Sequence, residues 1–320
     1  MKRELSIVIP IYNESETINE FYARLVRALK SQKSTNWNFS LIFVNDGSTD
    51  DSLAKLRGLQ WVEKKFSIEI INLSRNFGHQ QAVWAGIENS TRESCVLVMD
   101  SDLQDPPEII PDFIKGLEKH EVVIGKRISR KDRFWKKIFA NSFYAILGNL
   151  SEGLVQSNVG DFWALSERAK LVLLTYPEEL KFLRGLISHI GFSSINIPYN
   201  RDGRFAGKTH YSVFKMVQLA IAGITGFSIK PLVYTVYVAM AFSFVLTLSA
   251  LFLVYTRIRD SSPISPGLTF VGVVIIISIG LLFNVLAVLS LYIARIAIEI
   301  KRRPVYILNS SQDSDSRKLK

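Results

Sequence analysis

The chain has 320 residues, 48% of them hydrophobic and 21% charged, with 39 Lys and Arg against 29 Asp and Glu for a formal net charge of +10. Its mean hydropathy of +0.17 is high for a soluble protein, and the excess sits in two runs free of Asp, Glu, Lys, Arg and His, at residues 232–256 and 268–294. Each run exceeds the roughly 20 apolar residues that cross a hydrocarbon core, which excludes a wholly soluble enzyme.

In chain order, the first 200 residues mix charged and apolar segments at the density of one soluble domain with its own core. The opening apolar stretch after Met1-Lys2-Arg3-Glu4 is broken by Pro10 and Asn13. It is too short for a signal-peptide core, so the domain is expected to stay on the side of synthesis. Apolar runs bounded by turn residues predict strands at residues 5–10, 41–45, 68–73, 95–100 and 122–124, and helical periods predict helices near 17–30, 50–62, 80–88 and 107–117. This alternation predicts an α/β fold with a mainly parallel sheet, on which ligands sit at the carboxyl ends of strands. The single cysteine, Cys95, excludes an intrachain disulfide and reads as a buried strand residue.

Polar motifs stand at those strand ends. After the first strand comes Pro10-Ile11-Tyr12-Asn13-Glu14, where Asn13 and Glu16 suit helix capping and leave Tyr12 and Glu14 for a ligand. After the second, in Asn45-Asp46-Gly47-Ser48-Thr49-Asp50-Asp51, Ser48 and Asp51 fit a capping box and Gly47 a tight turn. Asp46 is not needed for that structural reading and suits hydrogen bonds from a base or ribose. After the fourth comes Asp100-Ser101-Asp102-Leu103-Gln104-Asp105-Pro106-Pro107. Carboxylates two apart in an extended segment can meet one hard divalent cation, and Mg²⁺ completes its shell with substrate phosphates and water. A calcium loop is rejected, because Asp105 stands where an EF-hand needs glycine. The structural alternative makes these acidic turn residues, with Asp105 capping a helix that begins at Pro106-Pro107. No Gly-x-Gly-x-x-Gly follows the first strand, and only three residues separate Gly203 from Gly207-Lys208-Thr209 where a P-loop needs four. Dinucleotide-binding and P-loop ATPase readings both fail.

Basic residues cluster in two places: seven between residues 126 and 137 against Asp132, and five between residues 201 and 230 against Asp202. Beside two apolar spans, and with no zinc-finger spacing or aromatic RNA-binding motif, the clusters favour anionic lipid or a phosphorylated substrate over nucleic acid. Lys208, Lys215 and Lys230 precede the first span, and Arg295, Lys301, Arg302 and Arg303 follow the second. The connection at residues 257–267 holds only Arg257 and Arg259, so both termini are expected in the cytoplasm. Residues 213–229, apolar between basic flanks, suit interfacial helices, and Gly223, Gly226, Gly272 and Gly280 allow close helix packing.

Five motifs occur in an order that resembles family 2 glycosyltransferases of GT-A fold: Ile9-Pro10-Ile11-Tyr12-Asn13-Glu14, Asn45-Asp46-Gly47-Ser48-Thr49-Asp50, Ser74-Arg75-Asn76-Phe77-Gly78-His79, the Asp100–Pro107 segment and Gly125-Lys126-Arg127. More closely, the chain is similar to polyprenyl-phosphate glycosyltransferases of the GtrB type, related to dolichol-phosphate mannose synthases, over about residues 5–300. The resemblance implies a Rossmann-like GT-A nucleotide-sugar domain at residues 1–205 and interfacial helices at 206–231. It further implies a two-helix transmembrane hairpin within 232–298; composition reads residues 299–320 as a basic, disordered tail, with the disorder placed on Ser310–Arg317. The resemblance implies that Pro10, Tyr12, Glu14 and Asp46 hold the nucleoside, with Gly78 and His79 beneath the nucleotide. Asp100, Asp102 and Gln104 would lie around Mg²⁺ or Mn²⁺ and the donor diphosphate. Asp161, in Gly160-Asp161-Phe162-Trp163, matches an acidic position near the sugar, with a helix cap as the structural alternative. Arg127, Arg201, Arg204 and Lys208 would bind the acceptor phosphate and the diphosphate. Here His210 stands where relatives often have Lys. A plain juxtamembrane cluster drawn to anionic lipid is the alternative for these cations.

The implied reaction is inverting transfer of a hexose from a nucleotide sugar to polyprenyl phosphate, with UDP-glucose and undecaprenyl phosphate favoured over GDP-mannose or a UDP-linked amino sugar. A processive polysaccharide synthase is disfavoured, because the chain lacks a Gln-x-x-Arg-Trp segment and has only two apolar spans. A membrane-anchored nucleotide-sugar sensor is the non-enzymatic alternative. The resemblance also implies a homo-oligomer, up to a tetramer.

Overall fold

The computed structural model describes residues 3–30, 36–59, 66–128, 159–179, 181–200, 230–259 and 265–309. They fall into two compact units, one holding the described residues up to 200 together with residues 303–309, the other holding two long helices.

Strand β1 (Arg3–Ile11) runs through the middle of the first unit, with Leu5, Ile7, Val8 and Ile9 fully buried. Such an uninterrupted apolar run is what a parallel strand covered on both faces requires. It pairs in parallel with β2 (Trp37–Asn45) and β4 (Cys95–Val98), and β2 pairs in parallel with β3 (Phe66–Asn72). Helix α1 (Ile18–Lys30) buries Ile18, Phe21, Leu25 and Leu29, a three-to-four spacing that lays one stripe on the sheet. Helix α2 (Ser52–Arg57) is short, and α3 (His79–Glu88) lies close against the strands. A Cβ on Gly86 would come within 2.3 Å of a Val8 methyl, so only glycine permits that approach. A 3₁₀ turn (Pro107–Ile109) leads into α4 (Ile110–Leu117), followed by β5 (Val122–Arg127).

Past that point the sheet departs from the expected parallel pattern. Strand β6 (Val159–Leu165) inserts between β4 and β5, antiparallel to both, and β7 (Ser194–Tyr199) adds beyond β5, giving the order β3-β2-β1-β4-β6-β5-β7. Helices α5 (Glu167–Leu174) and α6 (Leu183–Ile190) connect these last strands. Cys95 opens β4 and is only partly buried. One cap assignment is also corrected. Ser48 accepts from the Asn13 N–H at 3.0 Å, and Asp50 takes the Ser52 N–H at 3.0 Å, so no Ser48–Asp51 capping box forms. Asp105 accepts from the Tyr199 hydroxyl at 2.5 Å.

The second unit consists of α7 (Lys230–Arg259) and α8 (Ser265–Lys301). Both are long and apolar enough to cross a membrane, with mean hydropathies of 1.9 over Leu232–Ser249 and 2.2 over Ile277–Lys301. Of the tail expected at residues 299–320, residues 299–309 are among the described ones, and the serine-rich stretch from 310, where disorder is expected, lies outside them. Helix α8 continues to Lys301, Arg302 turns the chain at φ 45°, and the following residues belong to the first unit. There Leu308 forms an antiparallel bridge with Leu73. The expected interfacial helices at 206–231 lie, up to residue 229, outside the described residues.

Candidate active site

Strands β1 to β4 all end at one edge of the sheet, and antiparallel β6 begins there. Topology therefore brings Asp161, third residue of β6, beside Asp100, two residues past β4. His79, first residue of α3, completes the group: its Nε2 lies 3.3 Å from Asp161 Oδ2 and 3.7 Å from Asp100 Oδ1. Arg184, in the first turn of α6, grips both Asp161 oxygens at 2.8 Å in a two-pronged fork. Helix α6 is itself pinned to α3, because the Leu183 N–H donates to Gln80 Oε1 at 3.2 Å and the Lys181 ammonium lies 3.7 Å over the Trp84 ring.

The result is a row of alternating charge: Arg184, Asp161, His79, Asp100. Desolvation alone would lower the His79 pKa, but the charges of Asp100 and Asp161 outweigh it and raise it to about 9, so the ring is an imidazolium. A cation at a helix N-terminus opposes the macrodipole, and the two carboxylates offset that cost. Burial acts to raise Asp161, yet Arg184 and His79 hold it well below the ordinary carboxylate range. Asp100 goes the other way, pushed up to about 7 by desolvation first and then by Asp161, Asp105 and Asp102, against the pull of His79. Such a carboxylate gains free energy when a further cation arrives.

Asp102 and Gln104 follow in a tight turn, where the Gln104 N–H donates to Asp102 Oδ1 at 3.1 Å. Between them Leu103, only 2% exposed, adopts φ 61°, a left-handed conformation that costs a leucine free energy and is held by its burial. Among the described residues, no three His, Cys, Asp or Glu side chains form a ready-made metal cage. The oxygen donors of Asp100, Asp102 and Gln104 nonetheless fit a hard cation that takes the rest of its shell from phosphate and water.

A second group involves Asp46, at 2% exposure. Its two oxygens accept from the backbone N–H groups of Phe77 at 2.7 Å and Gly78 at 2.9 Å, so it clamps the β3–α3 loop. Desolvation raises its pKa, with those two hydrogen bonds acting against the rise. Gly47 and Gly78 have φ of 63° and 109°, and a Cβ on Gly47 would meet the Arg75 carbonyl carbon at 2.4 Å. Both glycines are demanded by this loop crossing. Pro10 is buried in β1, Tyr12 is 46% exposed at its end, and Glu14 accepts from the Thr17 hydroxyl at 3.1 Å.

A third group is organised by Arg127. Its Nε donates to the Tyr199 hydroxyl at 3.2 Å, and its guanidinium lies 3.8 Å from fully buried Asp105. The guanidinium passes over Gly160, where a Cβ would sit 2.3 Å from it. Gly160 thus keeps the place of Arg127 open and leads β6 into Asp161.

The structure therefore joins His79, Asp100 and Asp161, sets Asp102 and Gln104 in the adjoining turn, and ties Asp46 to Gly78. Arg201, Arg204 and Lys208 lie outside the described residues. Sequence reasoning missed Arg184 and Tyr199, which carry no local motif; the one usable signal was that Asp161 needs a cationic partner once buried.

Residues 6–170 match the model of the glycosyl transferase family 2. The uncharacterized glycosyltransferase YkcC of Bacillus subtilis is 36% identical over 99% of this chain and 96% of its own. The chain belongs to glycosyltransferase family 2. Its first unit is the mixed α/β sheet of the GT-A type. The SfII prophage-derived bactoprenol glucosyl transferase of Shigella flexneri is 32% identical to this family 2 chain, over 96% of it and 98% of the relative. Among solved structures, glucosyl-3-phosphoglycerate synthase from Mycobacterium tuberculosis with Mn²⁺, UDP and phosphoglyceric acid aligns at TM-score 0.47 and 17% identity, over 70% of this chain and 76% of the other.

Proposed function

We propose that this family 2 glycosyltransferase moves glucose from UDP-glucose to undecaprenyl phosphate, with inversion, at the cytoplasmic face of a membrane. The observation that carries this reading is the likeness to bactoprenol glucosyl transferases, which extends through the catalytic unit and both apolar helices rather than through the family domain alone.

An acceptor phosphate oxygen attacks the anomeric carbon, a new carbon–oxygen bond forms there, and the bond to the donor's β-phosphate breaks with its electron pair leaving on UDP. The acceptor is already anionic near neutral pH, so no strong general base is needed. Asp161, ionised and held by Arg184 and His79, acts as a fixed negative wall near the sugar. Pro10, Tyr12, Glu14, Asp46, Gly78 and His79 form the nucleoside side, where the exposed Tyr12 ring offers a stacking face. Asp100, Asp102 and Gln104 hold a divalent cation, Mg²⁺ or Mn²⁺, which when bound supplies positive charge to the leaving diphosphate. Arg127, Arg201, Arg204 and Lys208 bind phosphate oxygens of donor and acceptor. The barrier is lowered by in-line positioning and by charge stabilisation of the leaving group.

The test incubates the full chain in detergent with Mg²⁺, undecaprenyl phosphate and labelled UDP-glucose, with labelled GDP-mannose and a labelled UDP-amino sugar as parallel arms. Label is expected in the organic phase from UDP-glucose alone, abolished by EDTA and by Asp102→Asn. Lipid label from another donor overturns the sugar; nucleotide release that depends on a different acceptor overturns the lipid.

A further inference from the structure

The segment after α8 has no part in the reaction described above, yet it is bonded to the catalytic unit at one particular place. Strand β3 is an edge of the sheet, and the short strap at residues 305–309 covers the carboxyl end of that edge. The Asn309 N–H donates to the Asn72 carbonyl at 2.8 Å, and the Ser74 N–H donates to the Ile307 carbonyl at 2.9 Å. Two residues before the bridging Leu308, the Tyr306 hydroxyl accepts from Asn89 Nδ2 at 2.9 Å and is hydrogen-bonded to Glu88 at the far end of α3. The strap therefore touches both ends of the β3–α3 unit: Asn72 and Ser74 where the loop begins, Glu88 and Asn89 where the helix stops.

Between those anchors lies the loop that builds the site. Ser74 is followed by Arg75, whose guanidinium covers the Phe77 ring at 4.0 Å. Next come the Phe77 and Gly78 N–H groups that Asp46 accepts, and then His79 between Asp161 and Asp100. The loop's own hydrogen bonds hold its inner side. The strap holds its outer end, where an uncovered edge would leave Ser74 to water.

We infer that residues 305–309 are a positioning element for the Ser74–His79 loop, and through it for the donor end of the site. Without the strap the loop opens more often, Asp46 loses its two N–H partners for part of the time, and the donor binds less tightly. Once the donor is bound and the loop closed, the reacting groups are unchanged, so the effect falls on donor affinity rather than on saturated turnover. The donor half of this statement rests on the proposed reading of the site; the loop half does not.

The experiment compares Asn309→Pro with Asn309→Ala in the full chain. Both lose the side chain, but only proline removes the N–H that bonds Asn72. Hydrogen exchange is followed at Phe77 and Gly78, with β1 amides as the measure of an intact fold, and UDP affinity is measured with Mg²⁺ present. Proline, relative to alanine, is expected to speed Phe77 and Gly78 exchange and weaken UDP binding by about fivefold, the worth of one hydrogen bond, while β1 stays protected. Unchanged exchange at Phe77 and Gly78 overturns the inference and leaves the strap as a mere edge cover. Faster exchange with unchanged UDP affinity overturns its link to the donor. If the unaltered chain binds no UDP, the donor reading itself falls, and faster loop exchange still upholds the strap's hold on the loop.

Discussion

Strand β4 is only four residues long, and a charged side chain sits at each of its ends, one fully buried and one partly so. Before it, Lys170 is fully buried and its ammonium donates to the Thr91 carbonyl at 2.6 Å and the Ser94 hydroxyl at 3.2 Å, with Ser90 at 3.4 Å. After it, Asp100 faces His79, Asp161, Asp102 and Asp105. The first charge is met by neutral oxygens of the loop at Ser90, Thr91 and Ser94. Among the described residues, the second is met by an excess of like charge and one imidazolium, with a quarter of its side-chain surface open to solvent. The lysine finds acceptors within its own fold, whereas on the proposed reading the aspartate's surroundings are completed by a ligand.

The largest effect should come from breaking the open end. Asp102→Asn keeps the size and the turn-forming acceptor but removes one charge from the proposed cation site. Loss of one electrostatic contact to a leaving group typically costs about 10²-fold or more in turnover. Turnover in the lipid-transfer assay is expected to fall by about that much. The midpoint of thermal unfolding should stay near that of the unaltered chain, because Asp102 is only half-buried. A large drop in that midpoint with turnover per folded molecule retained would make Asp102 structural, like Lys170.

Arg184 is the next test, because it makes the Asp161 side of the site resemble the closed end. Arg184→Gln leaves a nearly buried carboxylate with His79 as its remaining close cation among the described residues; breaking a fully buried pair costs about 3–5 kcal/mol, and less is expected here because the Arg184 side chain is 39% exposed. Arg184→Lys restores charge without the fork, so its stability should lie between the two. Equal stability of Gln and unaltered chains would mean that Asp161 protonates freely and is no fixed wall.

These contrasts also explain what could be read in advance. Strands β1 to β5 announce themselves as apolar runs, and the strand-end motifs at Asp46, Asp100 and Asp102 lie where parallel topology puts a ligand. Strand β6 is not legible in the sequence because its second and third residues are Gly160 and Asp161, which look like a loop until Arg127 is seen lying over the glycine. Edge strand β7 exposes most of its residues and contains Pro198, so it carries no buried alternation. Asp105 pairs with Tyr199 and Leu73 with Leu308, contacts between residues far apart in the chain that leave no local pattern. The strap was hidden for a further reason: its neighbours on both sides are basic or polar, and composition alone reads such a stretch as tail.

The smallest effect sharpens the closed end. Burial lowers the Lys170 pKa from its ordinary value near 10.5 to about 8, with Cys95, Glu167 and Glu4 acting weakly the other way. A lysine whose pKa is depressed on folding binds its proton more tightly in the unfolded chain, so between those two values the unfolded state holds more protons and stability rises with pH. The contribution is least below pH 8 and grows above it. Between pH 8 and 9 the rise is about 1 kcal/mol at most. Above pH 9 it is opposed by Cys95, whose pKa is raised by burial and whose thiol therefore favours the folded state less as it ionises. Lys170→Met removes the titrating group but keeps an unbranched side chain of similar length. Its unfolding midpoint should be lower overall, because the Thr91 carbonyl and the Ser94 hydroxyl lose their donor, and should lack the rise between pH 8 and 9. The slope, not the offset, is the informative quantity: an unaltered slope in the methionine variant would mean that Lys170 stays protonated through this range, and that its oxygen cage meets the charge more completely than its burial suggests.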